Sequence, residues 1–140
     1  MKQIIRCRVT GEVETIDLPD NRHWGWYSEQ IGVRIVQHVC GVNLKHPYAF
    51  LCDEEGLLKK HPTVNFIGSY FYGTQDHGEP TVGDILIVKD IQTAEGYDFD
   101  GLEAGEADIM ANWMVENFWP WHDAVMAKIG DRLKGAPKGE

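Results

Sequence analysis

The chain is 140 residues long, 43% apolar and 25% charged, which suits one globular domain and excludes a disordered chain. Its longest aliphatic run, Ile85-Leu86-Ile87-Val88, falls far short of the roughly 20 apolar residues of a membrane span. Of the net charge of −9, residues 91–127 alone supply eight acids and no Lys or Arg, a field that repels phosphate backbones and disfavours generic nucleic-acid binding.

Residues 3–9 alternate, with Ile5, Cys7 and Val9 opposite Arg6 and Arg8, as a half-buried strand does. Thr10-Gly11 turns the chain into a second strand over residues 12–18. Pro19-Asp20-Asn21 ends that strand, and Trp24, Tyr27 and Ile31 follow at helical spacing, with Gly32 as the stop. Residues 33–40 resume alternation, placing Val33, Ile35 and Val39 on one face and His38 with Cys40 on the other. Residues 48–52 read as a strand closed by the turn 53–56, residues 63–73 as a short helix, and residues 85–90 as the last strand.

Residues 91–105 read as an acidic, Gly-containing loop, and residues 106–134 as Trp-rich helices. Met110, Trp113, Met114, Phe118 and Trp121 keep helical spacing; Pro120 then starts a segment striped by Trp121, Val125, Ile129 and Leu133. Residues 135–140 form a frayed tail. The fold class is therefore α+β: a mainly antiparallel sheet packed by helices on one face, within a single domain over 1–134. Arg6 and Arg8 interrupt any apolar leader at the N-terminus, so the expected home is the cytoplasm, without membrane contact.

The chemistry-bearing residues are sparse. Cys7, Cys40 and Cys52 are an odd set without paired spacing, which argues against a disulfide framework and for small buried hydrophobes. No C-x-x-C, H-E-x-x-H or H-x-x-x-H spacing occurs; His38 and Cys40 share only a strand face, and no metal or other cofactor is expected. A calcium loop laid over Asp98-Phe99-Asp100-Gly101 would put Gly96 first and Ala107 last, where a bidentate Glu is required, so only a looser acidic site of Asp98, Asp100 and Glu103 survives. Neither serine, Ser28 or Ser69, lies in a nucleophile elbow, and no phosphate-binding glycine motif is present, so no catalytic residue is assigned.

Trp113, Trp119 and Trp121 crowd together with Phe118. They read first as cover for the open sheet face, and second as an anchor for a partner or another copy of the chain. Lys2, Arg6, Arg8 and Arg34 read as a solvated strand face, with an acidic or phosphate-bearing partner as the alternative.

The order Phe50-Leu51-Cys52, Asp53-Glu54-Glu55-Gly56-Leu57, Pro62, Asn65, Tyr72-Gly73 and Val82-Gly83-Asp84 before Ile85 resembles the uncharacterised domain-of-unknown-function family 3846 of phages, plasmids and their bacterial hosts. The likeness spans the first 90 residues; residues 74–81 look inserted, and the Trp-rich end lies outside it. The resemblance implies a mobile-element origin, residence in a host cell's cytosol and no assigned activity. By analogy it points to a binder that blocks or sequesters a host factor, a defence component included. The leading expectation is thus a non-enzymatic binding protein meeting a cationic protein surface through Glu95, Asp98, Asp100, Glu103, Trp113, Trp119 and Trp121, with self-association through the C-terminal helices as a further expectation. The rivals are a small-molecule or nucleotide binder using Asn65, Tyr72, Gly73 and Asp84, and a small hydrolase with an acidic cation site.

Overall fold

The computed structural model describes residues 1–23, 25–77 and 79–117. Among these residues six strands make one sheet: β1 (Gln3–Cys7), β2 (Val13–Asp17), β3 (Val36–Val39), β4 (Tyr48–Asp53), β5 (Ile85–Thr93) and β6 (Gly96–Asp100). Among the described residues four α-helices accompany it: α1 (Trp26–Gln30), α2 (Phe66–Tyr72), α3 (Thr74–His77) and α4 (Ala104–Asn117). The helical segment expected after Pro120, with Trp119 and Trp121, lies outside the described residues.

The sheet is antiparallel throughout, in the order β2-β1-β5-β4-β3. The β1–β2 hairpin sets Ile5 opposite Thr15, and Gly11 turns it at a φ of 94° that other residues rarely adopt. β5 is shared along its length: Ile87 pairs with Ile5 of β1, while Asp90 pairs with Phe99 of β6. The stretch read as a loop over 91–105 is therefore largely the second arm of a hairpin and the start of α4. Strand pairing with the long neighbour β5 overrides the poor strand propensity of Gly96, Asp98 and Asp100.

Both faces of the sheet are covered, not one. On the first, Ile5, Cys7, Phe50, Cys52, Ile85 and Ile87 pack with Ile67 and Phe71 of α2 and Ala107 and Met114 of α4. On the second, Ile4, Ala49, Leu51, Leu86 and Val88 pack beneath Trp26, Tyr27 and Ile31, from α1 and its end. Arg6 fastens that cover by donating from Nη1 to the Gln30 carbonyl at 3.0 Å. α1 is only five residues long, too short to be stable without this burial.

Asn65 starts α2 by accepting from the Gly68 N–H at 2.9 Å, and Gly73 ends it at a φ of 95°. The segment after β3 then crosses the helix end so closely that a Cβ on Gly41 would lie 2.2 Å from the Phe71 carbonyl oxygen. There the Asn43 N–H donates to that oxygen and the Asn43 amide to the Tyr70 carbonyl, satisfying two terminal acceptors.

Candidate functional site

Four groups of residues compete for a functional role. The acidic and aromatic candidates divide into those that build the fold and those that face outward. Asp100 is bound by Lys2 and accepts from the Gly101 N–H, and these bonds hold its carboxyl below the ordinary range against the opposing effect of partial burial. Asp98 caps the Phe99 N–H and stays exposed, as do Glu95 and Glu103. Asp98, Asp100 and Glu103 do not converge on a common cation position among the described residues. Trp113 is 42% exposed, so it is no core residue; its neighbour Met114, 1% exposed, fills that place. α4 thus turns Ala107 and Met114 inward and Asp108, Ile109, Asn112, Trp113 and Glu116 outward.

The basic residues offer no patch. Lys2 pairs with Asp100, Arg6 and Arg8 with Glu14, Arg8 also with Asp84 at 3.7 Å, and Arg34 with Glu55 at 2.6 Å. Each cation is answered by an acid of this chain, so the sheet face read as basic is close to neutral.

The four ligand candidates do not surround a common cavity. Asn65 is fully buried and spends its amide on the Cys7 and Gly83 carbonyls, both at 2.9 Å. Gly73 is the left-handed helix end, and Asp84 accepts from the Val9 N–H at 2.9 Å. Only Tyr72 lines the cavity of about 280 Å³ beyond the edge strand β3, with Gln37, Val39, Cys52, Leu57 and Thr81. The first three of these needs are structural, and the glycines serve turns rather than close approach to a ligand.

A fourth group was half visible in the sequence. His38 of β3, and Cys40 just after it, lie on the face of the sheet that also carries Leu51 and Val88, because paired residues across antiparallel strands share a face. Asp90 of β5 projects from the same face. His38 Nε2 lies 2.8 and 3.0 Å from the two Asp90 oxygens, and Cys40 Sγ lies 3.9 Å from Asp90 Oδ2 and 4.0 Å from His38 Nε2. Phe99 stacks on the His38 ring at 5.4 Å and 16°, and Tyr27 meets Phe99 edge-on at 5.7 Å. The aromatic cover of the second face thereby ends on this cluster.

Cys40 is exposed, unlike Cys7 and Cys52, and so departs from the buried role expected for all three; all are free thiols. Partial desolvation and the Asp90 carboxylate push the Cys40 thiol above its ordinary range. Asp90 also occupies the imidazole nitrogen that would have to take the thiol proton. A nucleophilic Cys–His pair needs the reverse of both conditions, a stabilised thiolate and a free base.

No family model, curated protein or solved structure matches the chain, and the resemblance drawn from its motifs gains no support from them. No helix among the described residues is long and apolar enough to cross a membrane.

Proposed function

We propose that the chain is a non-enzymatic binding protein of phage or mobile-element origin that inhibits or sequesters a host factor, a defence component included. Its contact surface is the outward face of α4 together with the exposed acids of the β5–β6 hairpin, and its partner presents a cationic protein surface. The observation that carries this reading is Ile109, 73% exposed on α4 beside Asp108 and one turn from Trp113. An exposed apolar anchor beside an outward acid suits a basic surface that carries its own apolar pocket. The absence of any Lys or Arg from residues 91–127 makes a second copy of the chain a poor occupant, since like charges would meet. The mobile-element origin rests on the motif resemblance alone.

Capture from host lysate, run in parallel with wild type and Ile109→Arg, tests the reading. A protein retained by wild type, lost by the variant and released at moderate salt supports it, once titration of that purified protein shows association slowing with salt. Equal capture by both chains, or a dimer of wild type that binds nothing else, overturns it.

A further inference from the structure

We propose that His38, Cys40 and Asp90 form a transition-metal site, with zinc as the ion their chemistry fits. The donors are an imidazole nitrogen, a sulfur and a carboxylate, drawn from two different strands, and their ligating atoms all lie within 4.8 Å of one another. Zinc bonds of about 2.0–2.3 Å to such ligands place them roughly 3.3–3.7 Å apart. With Asp90 Oδ2 as the ligating oxygen, the observed separations of 3.0, 3.9 and 4.0 Å bracket that range, so occupancy needs only a small opening of the His38–Asp90 pair and a small closing of Cys40.

The scaffold already holds two of the three donors in place. Phe99 stacked on His38 fixes the plane of the ring. Asp90 is anchored at its backbone by donation to the Pro47 carbonyl at 2.8 Å, and its side chain is 10% exposed. His38 and Cys40 are both exposed, at the outer edge of the sheet, which gives an ion a route in.

Sulfur in the set selects against magnesium and calcium, which take oxygen ligands, and a mixed nitrogen, sulfur and oxygen set is one that zinc accepts. Three protein donors leave a fourth tetrahedral position for water or an incoming ligand. Without an ion, Asp90 simply accepts from both neighbours, so the same contacts serve the metal-free protein. The site lies on the face of the sheet away from α4 and stands or falls independently of the surface proposed above.

Titration of the reduced, metal-free full chain with cobalt(II), then zinc, tests the assignment. The expected result is one cobalt per chain with a thiolate-to-cobalt charge-transfer band, which zinc abolishes by displacement. Cys40→Ser should remove the band, and Cys40→Ser, His38→Ala and Asp90→Asn should each weaken zinc at least about tenfold, the smallest cost of even an outer-shell change. Cys52→Ser, altered on the other face, should retain the band. Wild type without stoichiometric binding at micromolar metal, or a band that persists in Cys40→Ser, overturns the site. Should a variant fail to fold, alkylation of wild-type Cys40 with and without zinc decides: protection by the metal supports the site and equal labelling overturns it.

Discussion

Lys89 on β5 holds Glu106 in the first turn of α4 at 2.7 Å, so the longest described helix is pinned directly to the centre of the sheet. The same carboxylate accepts from the Tyr48 hydroxyl and from the Glu103 N–H at the helix start, the returning half of a capping box. One side chain thus joins β4, β5 and α4.

Glu106→Gln should therefore lower stability by about 1–3 kcal/mol, the worth of hydrogen bonds to a charged group. Bonds from Lys89 and Tyr48 hold the Glu106 carboxyl below its ordinary value of 4.5. A depressed carboxyl contributes stability that is complete above the ordinary value and is lost as pH falls through the depressed one. Urea unfolding midpoints from neutral pH downward should fall less steeply below pH 4.5 in the variant than in wild type.

Glu14 gives the β1–β2 hairpin a similar dependence of its own. Hydrogen bonds from Arg6 and Arg8 hold its carboxyl down at about 2. The stabilisation is whole above pH 4.5 and drains away toward pH 2 as the carboxylate is protonated. Glu14→Gln should remove that acid-sensitive part and, at neutral pH, loosen the Arg6 contact to Gln30 that fastens α1. Amide exchange in residues 26–31 should quicken in the variant; unchanged exchange would disconnect the hairpin from the α1 cover.

Asn65→Ala tests whether this residue is structural. Loss of the helix cap and of the donor to the Cys7 and Gly83 carbonyls should cost about 2–4 kcal/mol in urea unfolding. A variant of wild-type stability would return Asn65 to the ligand-binding candidates.

Met114 and Trp113 should behave oppositely to what ring size suggests. Met114→Ala, at 1% exposure, should cost about 2–5 kcal/mol, whereas Trp113→Ala, at 42% exposure, should cost less. Thermal melts of the two variants side by side give the order; a larger loss at Trp113 would reverse the assigned helix face.

Gly41→Ala should destabilise by about 1–3 kcal/mol, because its Cβ would press on the Phe71 carbonyl, a backbone atom that cannot rotate away. Relief by Phe71→Ala is not expected, since the obstructing oxygen remains. Denaturant midpoints of the single and double variants check both statements.

The β1–β2 hairpin was legible because Ile5 and Cys7 alternate with Arg6 and Arg8, and a period of two has one structural meaning there. β6 was not, because Gly96, Asp98 and Asp100 carry no strand signal and owe their conformation to pairing with β5. The helix of residues 104–117 was visible but not its inner face. Trp113 and Met114 are adjacent and both apolar, and only docking against β1 and β2 chooses between them. Of the metal cluster, the shared face of His38 and Cys40 was readable from spacing. Asp90 was not, since no local pattern names a partner on another strand; nor was Phe99 marked as the ring that would stack on His38.

The placement of β1 has a consequence for how the protein is made. Its Ile5 lies between Thr15 of the adjoining hairpin arm and Ile87 of β5, and Gln3 bridges to Leu102. On the ribosome the hairpin emerges early, yet the strand that closes its second edge arrives only after most of the domain has been translated. Until then Ile4 and Ile5 offer an open, apolar strand edge to other nascent chains. Assembly of the sheet is therefore governed by late, long-range closure, and chains truncated before β5 should associate with one another rather than wait as soluble fragments.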